Sequence, residues 1–278
     1  MSNECQFTHL NIGEKSLEVL RCPHASAAGT IVLLHEALGS VSYWKDFPGK
    51  LASATGCNVV AYSRAGHGGS QGPLEPRSVG YYRNQVEVVL PAIFRHFKIE
   101  SPILYGHSEG AAIAFLFAAE QPHTVRALIA EAPIVTTEAR SQNRIHELAA
   151  TYSSSELRRK LARYHCDSDA VFHSWIAGVT TPQMLQFPLH EYLAKIVCPV
   201  LVLQGPEDEF GGEIQLLTLE KHVPQVTSRT IAGAGHLPHR EQTEAVLMEI
   251  RIFLADLPSS AARPGPLIRQ PGSSGVTC

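Results

Sequence analysis

Apolar residues fall in short blocks along this chain, and the blocks differ in period. Thr30-Ile31-Val32-Leu33-Leu34 is a continuous apolar run. Such a run predicts a strand covered on both faces, as in a parallel sheet. Similar strands are predicted at 57–62, 103–105, 125–130, 199–204 and 227–231. Other blocks repeat at helical spacing. Val86, Val89, Leu90, Ile93 and Phe97 predict a helix over 82–97. Ala111 to Ala119 is small and apolar throughout, which predicts a buried helix stopped near Pro122. Further helices are predicted at 44–51, 214–222 and 243–254, and a hairpin at 7–21 with Gly13 and Lys15 in its turn. Strands alternating with helices imply an α/β fold with a doubly wound, mostly parallel sheet.

The stretch 134–195 breaks this alternation, for it carries no strand signal. Ser153-x-x-Glu156 reads as a capping box opening a helix, with Leu157, Leu161 and Tyr164 on one face and Arg158, Arg159, Lys160 and Arg163 on a solvated one. A second helix after Asp167 carries Val171, Phe172, Trp175, Ile176 and Val179 along one side. From 258 to 278 the chain is rich in Pro, Gly, Ser and Ala and has little to bury, so a disordered tail is expected.

Composition narrows the classes. Hydrophobic content of 44%, charged content of 18% and a net charge of -3 describe a globular protein with no nucleic-acid footprint. No apolar run approaches the ~20 residues of a membrane span, and the N-terminus has no signal-peptide core. The 6 cysteines have no zinc or C-x-x-C spacing, and Cys57 and Cys198 sit at the mouths of strands. A cytoplasmic, disulfide-free protein is the expectation. The 14 histidines form no H-E-x-x-H pattern, so no metal and no cofactor are expected.

Chemistry concentrates where strands end. Between the strand at 103–105 and the helix at 111–119 stands Gly106-His107-Ser108-Glu109-Gly110. Gly-x-Ser-x-Gly in that setting is a nucleophile elbow, a tight turn lifting the serine above the sheet. Serine needs a base, and the base needs an orienting acid. Asp208 follows a strand in Gly205-x-x-Asp208, and His236 lies in a Gly-x-Gly-His turn. Glu131, Glu207 and Glu209 are rival acids; His239 is a rival base. A bland reading also exists: Asp208 as a helix cap and His236 as a satisfied loop histidine. A tetrahedral intermediate would need two donors, the backbone N–H of Glu109 and one from the loop at Ala37.

Taken together, His35-x-x-x-Gly39-Ser40, Ser63-Arg64-x-Gly66-x-Gly68, the Ser108 elbow, Gly205-x-x-Asp208 and Gly233-x-Gly235-His236-x-Pro238-His239 resemble the α/β-hydrolase fold family. The resemblance implies an α/β-hydrolase fold with a helical cap: core at 1–133 and 196–257, cap at 134–195. It implies Ser108 as nucleophile, Asp208 as acid, His236 as base, and Ala37 and Glu109 as oxyanion-hole donors. Phe172 and Trp175 in the cap are the candidate substrate contacts. The family's usual His-Gly is His35-Glu36 here, which leaves the direction of the Ala37 amide open. Glu36 is expected to turn away toward a base such as Arg64.

A serine at the nucleophile position points to acyl transfer to water. The nearest resemblances are to small esterases, meta-cleavage-product hydrolases and proline-iminopeptidase-like enzymes. A small or medium carboxylic ester, thioester or lactone is the leading substrate, with no cofactor, nucleic acid or membrane as partner and the oligomeric state left open. C–C or amide hydrolysis on the same triad, or ligand binding without catalysis, are the alternatives.

Overall fold

The computed structural model describes residues 4–257. Eight strands form one sheet: β1 (Gln6–Ile12), β2 (Lys15–Cys22), β3 (Thr30–Leu34), β4 (Asn58–Tyr62), β5 (Ile103–His107), β6 (Ala127–Glu131), β7 (Val200–Gln204) and β8 (Val226–Thr230). Their spatial order is β1-β2-β4-β3-β5-β6-β7-β8. The hairpin β1–β2 joins β4 antiparallel, and every later pairing is parallel. The predicted strands are all present, with ends shifted by up to two residues.

The helices are α1 (Phe47–Thr55), α2 (Val79–Asn84), α3 (Leu90–Phe97), α4 (Glu109–Glu120), α5 (Ala139–Thr151), α6 (Glu156–Leu161), α7 (Ser168–Val179), α8 (Pro182–Leu185), α9 (His190–Leu193), α10 (Glu213–His222), α11 (Pro238–Glu241) and α12 (Thr243–Ala255). A π-helical turn at Gln85–Val89 joins α2 to α3, so the long helix expected at 82–97 is continuous but locally widened.

Strand parity explains the two cores. Val32, Leu34, Leu104, Leu128, Val200 and Val202 face α3 and α4. Their neighbours Ile31, Leu33, Ile103, Tyr105, Ile129 and Leu201 face α1 and α12. Central strands β5, β6 and β7 are buried at every residue, which is why their sequences do not alternate. Helix α4 lies against β5, β6 and β3 and buries every residue from Glu109 to Ala119. Its apolar stretch from Ala111 to Ala119 thus reflects burial on all sides.

Helices α5 to α9 fill the segment between β6 and β7. Asp167 caps α7, accepting from the Ala170 N–H as its position suggests. The start of α6 differs from the sequence expectation: Ser155, not Ser153, accepts from the Arg158 N–H. Ser153 sits instead in a short 3₁₀ turn, Tyr152–Ser154. A second correction concerns the cysteines. Cys5 and Cys22 are joined in a disulfide, so the chain is not disulfide-free. Such a bond persists in oxidising surroundings, so cysteine usage no longer argues for a reducing compartment. Cys57 and Cys198 are buried thiols. The expected tail at 258–278 lies outside the described residues. Among those residues, no helix is long and apolar enough to cross a membrane, and no cluster of three or more His, Cys, Asp or Glu could hold a metal.

Candidate active site

Strand β5 ends in a turn that has room for no side chain two residues to either side of the serine. A Cβ on Gly106 would overlap the Gly110 carbonyl and the Ala111 backbone, and one on Gly110 would overlap the Leu34 carbonyl. Between these two glycines, Ser108 takes φ 51°, ψ -113°, in the region L-residues rarely occupy. The serine stands at the N-terminus of α4, where the helix dipole favours negative charge.

Three chain-distant residues meet there. Ser108 Oγ lies 3.1 Å from His236 Nε2. His236 Nδ1 lies 2.9 Å from both carboxylate oxygens of Asp208. With its proton on Nδ1, the imidazole donates to Asp208 and leaves Nε2 to accept from the serine hydroxyl. Asp208 is fully buried. Its carboxylate also accepts from the Phe210 N–H at 2.8 Å and Gln204 Nε2 at 2.8 Å. Burial alone would raise the Asp208 pKa; the hydrogen bond and charge of His236, with those further donors, hold it below the ordinary value.

The two expected oxyanion donors flank the same space. Glu109 N–H opens α4, and Ala37 follows β3; both residues line the cavity above Ser108. Among the described residues, neither amide has a hydrogen-bond acceptor within the protein. Glu36 departs from the expected pairing. Its carboxylate points at His107, 3.7 Å from Nδ1, and Arg64 takes the Glu36 carbonyl instead. His107 Nε2 lies 2.7 Å from the His236 carbonyl. Burial pulls the His107 pKa down, but the Glu36 and Glu131 carboxylates carry it up to about 9. Imidazolium at His107 therefore neutralises the carboxylate that replaced the usual glycine.

The rival acid is placed elsewhere. Glu131, at the end of β6, pairs with His239 and accepts from the Tyr105 hydroxyl at 2.6 Å. Glu209 lines the cavity rim near Arg144, and Glu207 is exposed.

A cavity of about 580 Å³ opens over Ser108 and His236, mostly apolar in its lining. Trp175 and Val179 of α7 contribute, with Ile145, Leu148 and Leu161 from α5 and α6. Phe172 does not. It is buried against Tyr152, ring on ring at 3.6 Å, inside the α5–α7 cluster, so its expected role as a substrate contact is corrected. Phe172 and Trp175 share one helical stripe, and a periodicity cannot tell which turn of it meets a neighbouring helix.

Sequence reasoning missed Arg77. It sits in an aperiodic stretch before α2, yet it is 2% exposed and reaches the Glu109 carboxylate at 2.9 Å. No local pattern marks it; the signal exists only in three dimensions.

Comparison with known proteins agrees with this architecture. The family model described as "Alpha/beta hydrolase family" matches residues 31–249. Protein ABHD8 of Bos taurus is 25% identical over 280 residues, an alignment covering 91% of this chain and 62% of that relative. This chain thus spans less than two thirds of that relative's length. Monoglyceride lipase of Homo sapiens is 27% identical over 235 residues, 75% of this chain and 76% of the lipase. Among solved structures, a bacterial membrane phospholipase A superposes with a TM-score of 0.73 at 19% identity, covering 92% of this chain and 87% of its own. At that identity the likeness speaks for the fold alone.

Proposed function

The chain belongs to the alpha/beta hydrolase family, and from that premise we propose that it is a cofactor-free serine hydrolase cleaving a small or medium carboxylic ester, thioester or lactone. The observation that carries this reading is the relay from Asp208 through His236 to Ser108 Oγ, closed at 2.9 Å and 3.1 Å. The carboxylic ester class is supported by the mostly apolar cavity above the serine and by a monoglyceride lipase among the relatives.

In this mechanism His236 Nε2 takes the serine proton as Oγ attacks the acyl carbon. Asp208 stabilises the imidazolium that results. The amides of Ala37 and Glu109 receive the developing oxyanion, where preorganised donors act most strongly. His236 then protonates the leaving alcohol or thiol. A water activated by the same imidazole hydrolyses the acyl-Ser108 ester and restores the hydroxyl. His107 is the group that keeps Glu36 from repelling the oxyanion.

The test is turnover of p-nitrophenyl esters by wild type and by Ser108→Ala. Wild-type hydrolysis with loss of kcat by about a thousandfold or more in the folded variant is expected. Hydrolysis that survives Ser108→Ala would overturn the assignment.

A further inference from the structure

We infer that Arg64 and Arg77 are positioning residues for the oxyanion hole: together they hold the 35–37 loop and the Glu109 side chain in one frame, and so aim the Ala37 and Glu109 amides at a common point. This rests on the serine-hydrolase reading above.

The contacts are specific. Arg64 Nη1 donates to the His35 carbonyl at 2.6 Å, and Nη2 donates to the Glu36 carbonyl at 2.7 Å. The same Nη2 also reaches the Glu109 carboxylate at 2.8 Å. Arg77 Nη2 donates to the Ala37 carbonyl at 2.7 Å, while its Nε and Nη2 engage Glu109 at 2.9 Å and 3.1 Å. Three successive carbonyls of the loop are thereby held by two guanidiniums. Both side chains are buried, at 1% and 2% exposure.

The peptide bond converts this grip into aim. A trans peptide is planar, and its C=O and N–H point in opposite directions. The Glu36 carbonyl and the Ala37 N–H share one such plane. Arg64, the Gly39 N–H and the His35 ring all converge on the Glu36 oxygen. That fixes the oxygen on the side of these donors, so the Ala37 N–H points away from them; Ala37 and Ser108 both line the cavity. In a His-Gly loop a glycine accommodates this turn; here Glu36 stands in its place, and side-chain donors fix the plane. The second amide is tied to the first through Glu109 itself. Its carboxylate accepts from both guanidiniums and, at 3.3 Å, from the Tyr82 hydroxyl. Residue 109 thus supplies an amide above and a tether below.

Arginine suits the task where lysine does not. Its planar fork reaches two carbonyls at once, whereas an ammonium is a point donor on a flexible stem. The two cations also share only one carboxylate in the trio, so the trio carries a net positive charge. His35 and His67, adjoining the trio, are held well below the usual histidine range, first by burial and then by the guanidiniums, and so stay neutral.

The experiment compares wild type with Arg64→Lys and Arg77→Gln on p-nitrophenyl butyrate, and measures the affinity of phenylboronic acid, whose serine adduct is a tetrahedral anion. Near-UV circular dichroism checks the fold. A misaimed hole should lower kcat about a hundredfold, as loss of an oxyanion donor does. KM should stay within about threefold, because uniform binding is untouched. Boronate affinity should fall in step with kcat. If a variant fails to fold, the other is read alongside Glu109→Gln, which keeps the side chain's shape but weakens the tether, with a kcat loss again expected. Folded variants that keep wild-type kcat, or lose only KM, overturn this inference alone. Wild type that neither turns over esters nor captures boronate overturns the serine-hydrolase reading and this inference with it.

Discussion

Glu131 and His239 form a second acid–histidine pair one strand away from the first, with Nδ1 3.0 Å from each carboxylate oxygen. Both residues are essentially excluded from water. The pair lies under Trp44, whose ring centroid is 4.6 Å from the His239 ring. It copies the chemistry of Asp208–His236 but, among the described residues, has no serine in hydrogen-bond reach.

The two pairs should separate by mutation. Asp208→Asn leaves the geometry of the relay but removes the charge that stabilises imidazolium, and a loss of kcat on the order of 10⁴ is expected. Glu131→Gln should cost stability and leave kcat within about tenfold. Steady-state kinetics with denaturant melts on both variants decide it. A larger kcat loss in Glu131→Gln would reassign the acid.

Glu131 also predicts an acid limit. Burial would raise its pKa, but His239, then His107 and the Tyr105 hydroxyl, bring it down to about 2. A carboxylate whose folded pKa lies below its unfolded one stabilises the fold above the unfolded value, near 4.5. That stability, on the order of 3 kcal/mol, is lost as pH falls from there toward 2. Urea melts at pH 7, 5 and 3 should show a steeper acid decline in wild type than in Glu131→Gln. Parallel declines would refute the point.

His107 predicts the opposite limit. Its folded pKa of about 9 stands above its ordinary 6.5. Its stabilising charge is fully present below 6.5 and disappears as pH rises through 9. Wild type should therefore lose stability between pH 7 and 10, and His107→Gln should lose much less over the same interval. The check is thermal melting across that range; equal slopes would mean that His107 is neutral in the fold.

Trp175 lines the cavity at 7% exposure, with its ring edge-on to Phe172 at 5.9 Å. Trp175→Ala should raise KM for bulky acyl groups and keep kcat for a short acyl ester within about tenfold. An ester series of increasing acyl size measures this. A uniform kcat fall across the series would make Trp175 a packing residue only.

Much of this was legible from the chain because it depends on near neighbours in sequence. The continuous run at 30–34 and the glycines two residues either side of Ser108 are local requirements of a buried strand and a tight turn. The order Ser108, Asp208, His236 followed from each standing just past a strand. What was not legible depends on where a long side chain goes after it leaves the backbone. Glu36 turned to His107 and not to Arg64, since Arg64 already had the loop carbonyls to satisfy. Phe172 turned into Tyr152, whereas Trp175, one helical turn on, reached the cavity. Cys5 precedes β1, and only the hairpin's register carries it back to Cys22.

The backbone at Ser108 has a consequence for anyone wishing to engineer this protein. Its left-handed φ of 51° belongs to the position, and any residue with a Cβ inherits the cost, about 1–3 kcal/mol. Glycine alone escapes it. A thermostability screen blind to turnover would therefore be drawn to glycine at 108, trading away the proposed nucleophile for a relaxed turn. On the serine-hydrolase reading, stability and activity pull in opposite directions at this one residue. A selection for heat resistance must hold position 108 fixed, or score hydrolysis alongside survival.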